Sequence, residues 1–106
     1  TGTTIRNNYI GTDVGGTLDR GNTNQGIFIG SGADATVVGG VGLGNVISGN
    51  GGTGIGIFAT ANVVVQGNVI GRNAANSADI ANGGDGVGIY GGSTGALVGG
   101  AAAGEE

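Results

Sequence analysis

Three four-residue phrases carry the clearest alternation of apolar and small positions in the chain: Gly26-Ile27-Phe28-Ile29, Gly54-Ile55-Gly56-Ile57 and Gly86-Val87-Gly88-Ile89. Every second residue is β-branched, which predicts short strands with Ile27/Ile29, Ile55/Ile57 and Val87/Ile89 on one face. Their starts at Gly26, Gly54 and Gly86 are almost evenly spaced. Two further strand classes keep the same cadence: Thr3-Thr4-Ile5, Val37-Val38, Val63-Val64-Val65 and Leu97-Val98, then Asn8-Tyr9-Ile10, Asn45-Val46-Ile47 and Asn68-Val69-Ile70. Gly and Asn separate them, and no stretch carries a helical period. The pattern predicts an all-β coil with three faces, of between three and four coils bounded near 1–25, 26–53, 54–85 and 86–106.

Strands this short cannot bury an apolar face alone, so the coils must stack about 4.8 Å apart and pair in parallel along the axis. Like residues then lie over like. The expected inner columns are Ile27-Ile55-Val87, Ile29-Ile57-Ile89 and Ile10-Ile47-Ile70, with Val63 and Val65 beneath the second face. Asn8, Asn45 and Asn68 form a polar column at a turn, where side-chain amides can bond one another and backbone groups the sheets leave unpaired.

Laid over itself with Asn8 on Asn68, the chain aligns without a gap. Ile10, Gly11, Asp19, Asn22, Gly26 and Ile29 meet identical residues at 70, 71, 79, 82, 86 and 89, and Gly32, Val38, Gly39, Gly40 and Gly44 continue the match. The repeating unit is therefore two coils, one bearing a long polar loop (Gly11–Gln25, Gly71–Asp85) and the other a short insert (Gly39–Gly44, Gly99–Gly104). The two loops are expected to project in register about 10 Å apart, two strand spacings along the axis.

Composition narrows the function. Gly supplies 29 of 106 residues and only four are aromatic, so a conventional globular core would be hard to fill. The cations are Arg6, Arg20 and Arg72 against seven acids, with no Lys and no His. No basic stripe exists for nucleic acid or an anionic membrane surface, and no apolar run is long enough to span a bilayer. Cys is absent, so the fold owes nothing to disulfides.

The phrase Asn8-Tyr9-Ile10-Gly11-Thr12-Asp13, with Gly16-Thr17, Asp19 and Gly21-Asn22, and the phrase Gly44-Asn45-Val46-Ile47-Ser48-Gly49-Asn50-Gly51 resemble repeat units of the pectate-lyase-like superfamily, in particular the Gly/Asn-rich arrays of bacterial secreted and surface proteins. The resemblance covers nearly the whole chain. It implies a right-handed parallel β-helix (a β-solenoid) in an extracellular or bacterial cell-surface setting. It does not select an activity, since that superfamily hosts lyases, hydrolases, adhesins and passive spacers.

Chemistry is sparse. Asp13, Asp19, Asp79 and Asp85 in the long loops are hard oxygen ligands suited to calcium, although their spacing matches neither an EF-hand nor the Gly-Gly-x-Gly-x-Asp nonapeptide. Asp and Asn serve turn geometry equally well, with Asp19/Asp79 and Asn22/Asn82 capping backbone donors. Phe28, Phe58 and Tyr90 point outward on one sheet and make either a platform for sugar rings or a partner contact; alternatively each ring lies over outward Gly30, Gly56 or Gly88. Catalysis lacks its parts: there is no His, no Cys, no base beside Ser31, Ser48, Ser77 or Ser93, and no Arg in a dense group of carboxylates. Arg6 becomes Gln66 and Arg20 becomes Ile80 in the next unit. The chain is expected to be no enzyme.

These features lead to a structural or adhesive segment of a larger protein, whose partners are other coils of the same array or other copies joined end to end. Neither end carries an amphipathic helix to cap the stack, and Glu105-Glu106 stand where the repeat calls for Asn-Val. The rival expectation is a carbohydrate-binding module, or the non-catalytic part of a polysaccharide lyase or hydrolase, with glycans as ligands.

Overall fold

The computed structural model describes residues 2–99. Within them lie ten strands: β1 (Thr4–Ile5), β2 (Tyr9–Ile10), β3 (Ile27–Ile29), β4 (Val37–Gly39), β5 (Val46–Ile47), β6 (Ile55–Phe58), β7 (Val64–Gln66), β8 (Val69–Ile70), β9 (Val87–Tyr90) and β10 (Leu97–Val98). No helix occurs among the described residues. All of the expected insert Gly99–Gly104 after its first residue, and the Glu105-Glu106 pair, lie outside them.

All strand pairs are parallel, and they form three sheets in the orders β1-β4-β7-β10, β2-β5-β8 and β3-β6-β9. The chain visits the sheets in a fixed sequence, so each full pass adds one strand to each. This cyclic order is what the spacing of the three strand classes predicts. Backbone bonds run from pass to pass along each sheet, as in Val37 N to Thr3 O, Val64 N to Thr36 O and Leu97 N to Val63 O at 2.8, 3.0 and 2.9 Å. A two-residue strand closes too few such bonds to stand alone, so its order comes from the stack.

Register follows the predicted columns. Ile27 pairs with Ile55 and Ile55 with Val87, Ile29 with Ile57 and Ile57 with Ile89, and Ile10 with Ile47 and Ile47 with Ile70. A further inner column runs Ile5-Val38-Val65-Val98. Ile47, Ile55, Ile57 and Val38 are fully buried, and Val63 and Val65 close the second face. Each such side chain contributes about 1.5–3 kcal/mol by leaving water. The core is densest in the second and third passes: Ile89 and Val98 are 48% and 51% exposed, although they continue the columns of Ile57 and Val65.

Glycine is required where one pass crosses close over another. Gly11, at φ +93°, follows β2 directly beneath the turn of the next pass, and a Cβ there would run into the Ser48 carbonyl oxygen and the Asn50 amide. Gly39, at φ +90°, meets Gln66 and Asn68 in the same way.

Candidate functional site

Each long loop opens as a small hairpin. In the first, Thr12 bridges Asp19 in antiparallel fashion, Asp13 N donates to Leu18 O and Arg20 N to Gly11 O, both at 2.9 Å. The second hairpin repeats this at the equivalent positions of the next unit: Arg72 bridges Asp79, Asn73 N donates to Ala78 O and Ile80 N to Gly71 O, again at 2.9 Å. The turn is closed by a side-chain acceptor. Asp13 Oδ1 receives Thr17 N and Leu18 N at 2.9 and 3.1 Å, and Asn73 Oδ1 receives Ser77 N and Ala78 N at 2.8 and 3.2 Å. Carboxylate and amide do one job, so the oxygen is needed there and the charge is not. The main-chain donors of Thr17 and then Leu18 favour the ionised form and hold the Asp13 carboxyl below its ordinary value of 3.8.

The remaining carboxylates also serve locally. Asp19 Oδ1 accepts from Gly21 N at 2.8 Å, while Asp79 stands 3.7 Å from Arg72 Nε across the base of the second hairpin, an exposed pair of little energetic weight. Asp85 is exposed, and its main-chain carbonyl accepts from Gly54 N at 2.8 Å. No group of three acidic, His or Cys side chains that could hold a metal ion occurs among the described residues. Asp13, Asp19, Asp79 and Asp85 are not brought together.

The hairpins do not keep the separation of two strand spacings, about 10 Å, expected along the axis. Ala74 N donates to Gly16 O at 2.8 Å, so the two meet across the intervening pass. That pass carries only the short turn Ser48–Thr53 here, and it supports the base of the second hairpin: Ser48 Oγ donates to Arg72 O at 2.7 Å and Gly49 N to Ile80 O at 3.0 Å.

Beneath the joined hairpins lies an open groove of about 800 Å³ on the outer face of β2-β5-β8. Tyr9, Val46 and Val69 form its floor, Asp13, Val14 and Ala74 belong to the hairpin wall, and Asn7, Gly44 and Gly67 belong to the turns on the other side. The insert Gly40–Leu43 adjoins that second wall, with Asn7 N donating to Leu43 O at 3.2 Å. Sequence reasoning missed this groove. Its floor residues alternate outward on strands whose inward partners form the predicted columns, so the signal is present, but the roof depends on how the hairpins lean.

The Asn column at the β1–β2 corner is a ladder. Asn8 N and Nδ2 both donate to Asn45 Oδ1, at 2.9 and 3.1 Å, and Asn45 N and Nδ2 both donate to Asn68 Oδ1 at 2.9 Å. The spare amide hydrogens of Asn45 and Asn68 reach the carbonyls of Ile5 and Val38. A second ladder, not foreseen, precedes the third sheet: Asn22 bonds Asn50 Oδ1 and Asn50 bonds Asn82 Oδ1, again through N and Nδ2. Asn50 is 1% exposed.

Phe28, Phe58 and Tyr90 stand half-exposed on the outer face of β3-β6-β9. Phe28 lies over Gly30 and Gly56, and Tyr90 folds back over Gly88 with its hydroxyl 3.4 Å from Thr53 Oγ1. Phe58 instead covers Gly91. The three share a face, and each shields backbone that a glycine leaves bare. The sequence matches no protein-family model, and no curated protein or solved structure matches it.

Proposed function

We propose that the chain is a segment of a right-handed parallel β-helix, with a superrepeat of two coils, and that it serves as a structural and adhesive part of a larger extracellular or cell-surface bacterial protein. The observation that carries this reading is the pair of Asn ladders. They link three successive passes at two corners, with the middle rungs Asn45 and Asn50 buried, whereas the groups with chemical potential, Asp13, Asp19 and Asp79, are engaged in local turns and pairs. What recurs between the units is geometry: Asp13 gives way to Asn73 with its bonds intact. A scaffold tolerates that exchange, and a site built on charge does not.

The ladders also support partners that extend the stack. Among the described residues no donor reaches Oδ1 of Asn8 or Asn22, so each ladder has a free acceptor in the first pass. A further coil or another copy that lays an Asn there would add the bonds Asn45 already makes to Asn68. Sedimentation over a wide concentration range tests end-to-end association: open-ended growth that weakens in Asn8→Ala and Asn22→Ala is expected, and a strictly monomeric profile counts against it.

The outer aromatic face favours a second reading, a glycan-binding module. Glycan-array binding that disappears in Phe58→Ala and Tyr90→Ala would replace the scaffold reading.

A further inference from the structure

We propose that Asn50-Gly51 and Asn82-Gly83 are self-modification sites that the closed stack holds latent: when neighbouring passes part, their side-chain amides hydrolyse, and the carboxylates so formed bar the passes from reclosing.

Asn is followed by Gly at these two places in the chain and nowhere else. The pairing is labile for a mechanical reason. The main-chain nitrogen of the following residue, once deprotonated by hydroxide, attacks the Asn Cγ. An N–Cγ bond forms, the Cγ–Nδ2 bond breaks, and ammonia leaves with a proton taken from water. Water then opens the five-membered imide at either carbonyl, giving Asp or the isomer whose main chain runs through the side chain. One water is consumed and one ammonia released, with no change of oxidation state. Glycine permits this attack best, because no side chain obstructs its nitrogen. The fold imposes that glycine: a Cβ at Gly51 would run into the Thr23 carbonyl oxygen, and one at Gly83 into that of Gly51. The close crossing of successive passes therefore sets the most labile pairing into the second ladder.

The closed stack restrains both reacting groups. Gly51 N donates to Asn22 O and Gly83 N to Asn50 O, both at 2.8 Å, so each nucleophile is tied to the preceding pass and shielded from hydroxide as a bonded amide is. The carboxamides are held as firmly. Asn50 Oδ1 accepts from Asn22 N and Nδ2 at 3.3 and 2.9 Å, while Asn50 Nδ2 donates to Asn82 Oδ1 at 3.1 Å. Asn82 Oδ1 also accepts from Asn50 N at 3.0 Å, and Asn82 Nδ2 donates to Ile47 O at 3.0 Å. To close the imide, each side chain must surrender these bonds and swing onto its own main chain. At Asn50, 1% exposed, no solvent replaces what is lost.

Reaction at the middle rung also prevents return. A carboxylate at position 50 has no hydrogen to offer the carbonyls of Ile10 and Ser48 at 3.3 and 3.4 Å, or Asn82 Oδ1, and it places a charge where the amide was buried. The isomer lengthens the main chain beside Gly51, where Thr23 leaves no room. Opening, reversible in itself, becomes irreversible once the rung has reacted.

The test is mass spectrometry of fragments cut after Arg20 and Arg72, which separate the two sites, with Asn-to-Asp conversion followed at mildly alkaline pH in the folded chain and in guanidinium chloride. Both sites should convert at least about tenfold more slowly in the folded chain. In Asn22→Ala, which removes the Nδ2 donor to Asn50 Oδ1 from an exposed rung, conversion at Asn50 should quicken at least about threefold and at Asn82 by less. Chains diluted from denaturant before conversion should regain the parent melting transition, and chains diluted after it should not. Equal rates in the folded and denatured chain overturn the proposal, as does an Asn50 that stays as slow in Asn22→Ala as in the parent, or a converted chain that refolds to parent stability. If Asn22→Ala fails to fold, Asn82 reaches its denatured rate as well, and the parent's ratio of folded to denatured rates decides. None of these outcomes depends on whether copies join end to end or bind glycans.

Discussion

The backbone N–H of Ala74 donates to the carbonyl of Gly16 at 2.8 Å, joining two hairpins that belong to passes separated by a third. The contact is possible because position 16 has no side chain. A Cβ on Gly16, whose φ is +68°, would lie 2.5 Å from Ala74 Cβ and 3.1 Å from the Tyr9 ring. The matching residue of the second hairpin is Asn76, which holds φ +56° with a full side chain. Gly16→Asn should therefore destabilise by about 1–3 kcal/mol through overpacking rather than through its backbone angle, and Asn76→Gly should cost less than about 1 kcal/mol. Chemical denaturation of the two variants, with hydrogen exchange at the Ala74 amide, checks the difference.

The middle rung of the second ladder should be the most sensitive polar position. Asn50→Ala removes the acceptor of Asn22 N and Nδ2 and the Nδ2 donor to Asn82 Oδ1, leaving the bond from its own backbone N–H, in a site that is 1% exposed. Unpaired buried polar groups cost about 1–3 kcal/mol each, so a loss of about 3 kcal/mol is expected. Asn8→Ala, at an exposed rung, should cost about 1 kcal/mol. Asn50→Asp sets an oxygen against the carbonyls of Ile10 and Ser48, and should be worse at neutral pH than in acid. Equal melting temperatures for Asn50→Ala and Asn8→Ala would contradict this ranking.

Asp13 gives the turn of the first hairpin a dependence on acid that Asn73, at the matching position, does not give the second. Its folded carboxyl titrates below 3.8, so its contribution is complete above that value and fades as pH falls through the lower folded one. Amide shifts of Thr17 and Leu18 should follow this titration, while those of Ser77 and Ala78, bonded to Asn73, stay flat. Asp13→Asn should keep the hairpin at pH 7 and abolish the titration.

Burial ranks the isoleucine column. Ile57→Ala, in the densest part of the core, should cost about 2–5 kcal/mol. Ile89→Ala, next in the same column but 48% exposed, should cost less than half as much. Equilibrium unfolding of both variants checks the gradient.

Much of this fold is legible because period-2 alternation and a near-constant pass length leave few ways to pair the strands. The inner columns and the Asn8-Asn45-Asn68 ladder adjoin strands and can be placed with them. The Asn22-Asn50-Asn82 ladder recurs at the same intervals as the strand phrases that begin at Gly26, Gly54 and Gly86. It escapes notice because Asn50 stands in a short turn and its partners stand late in long loops, so the three look like unrelated segments. Phe28 and Tyr90 lie over the glycines their alternation suggests, but Phe58 turns to Gly91. The groove and the touching hairpins were beyond reach: axial spacing predicts where a loop leaves the sheet and says nothing of its lean.

The alternation of hairpin and insert along the stack bears on how the chain avoids misfolding. Its inner columns are nearly interchangeable, Ile over Ile and Val over Val, so a nascent chain that skipped a pass would bury almost the same side chains. Such a slip would leave Ala74 without the Gly16 carbonyl and set a hairpin where a neighbouring pass carries only a short turn. Decoration that differs from one pass to the next thus acts as a proofreading mark on a core too uniform to count its own layers.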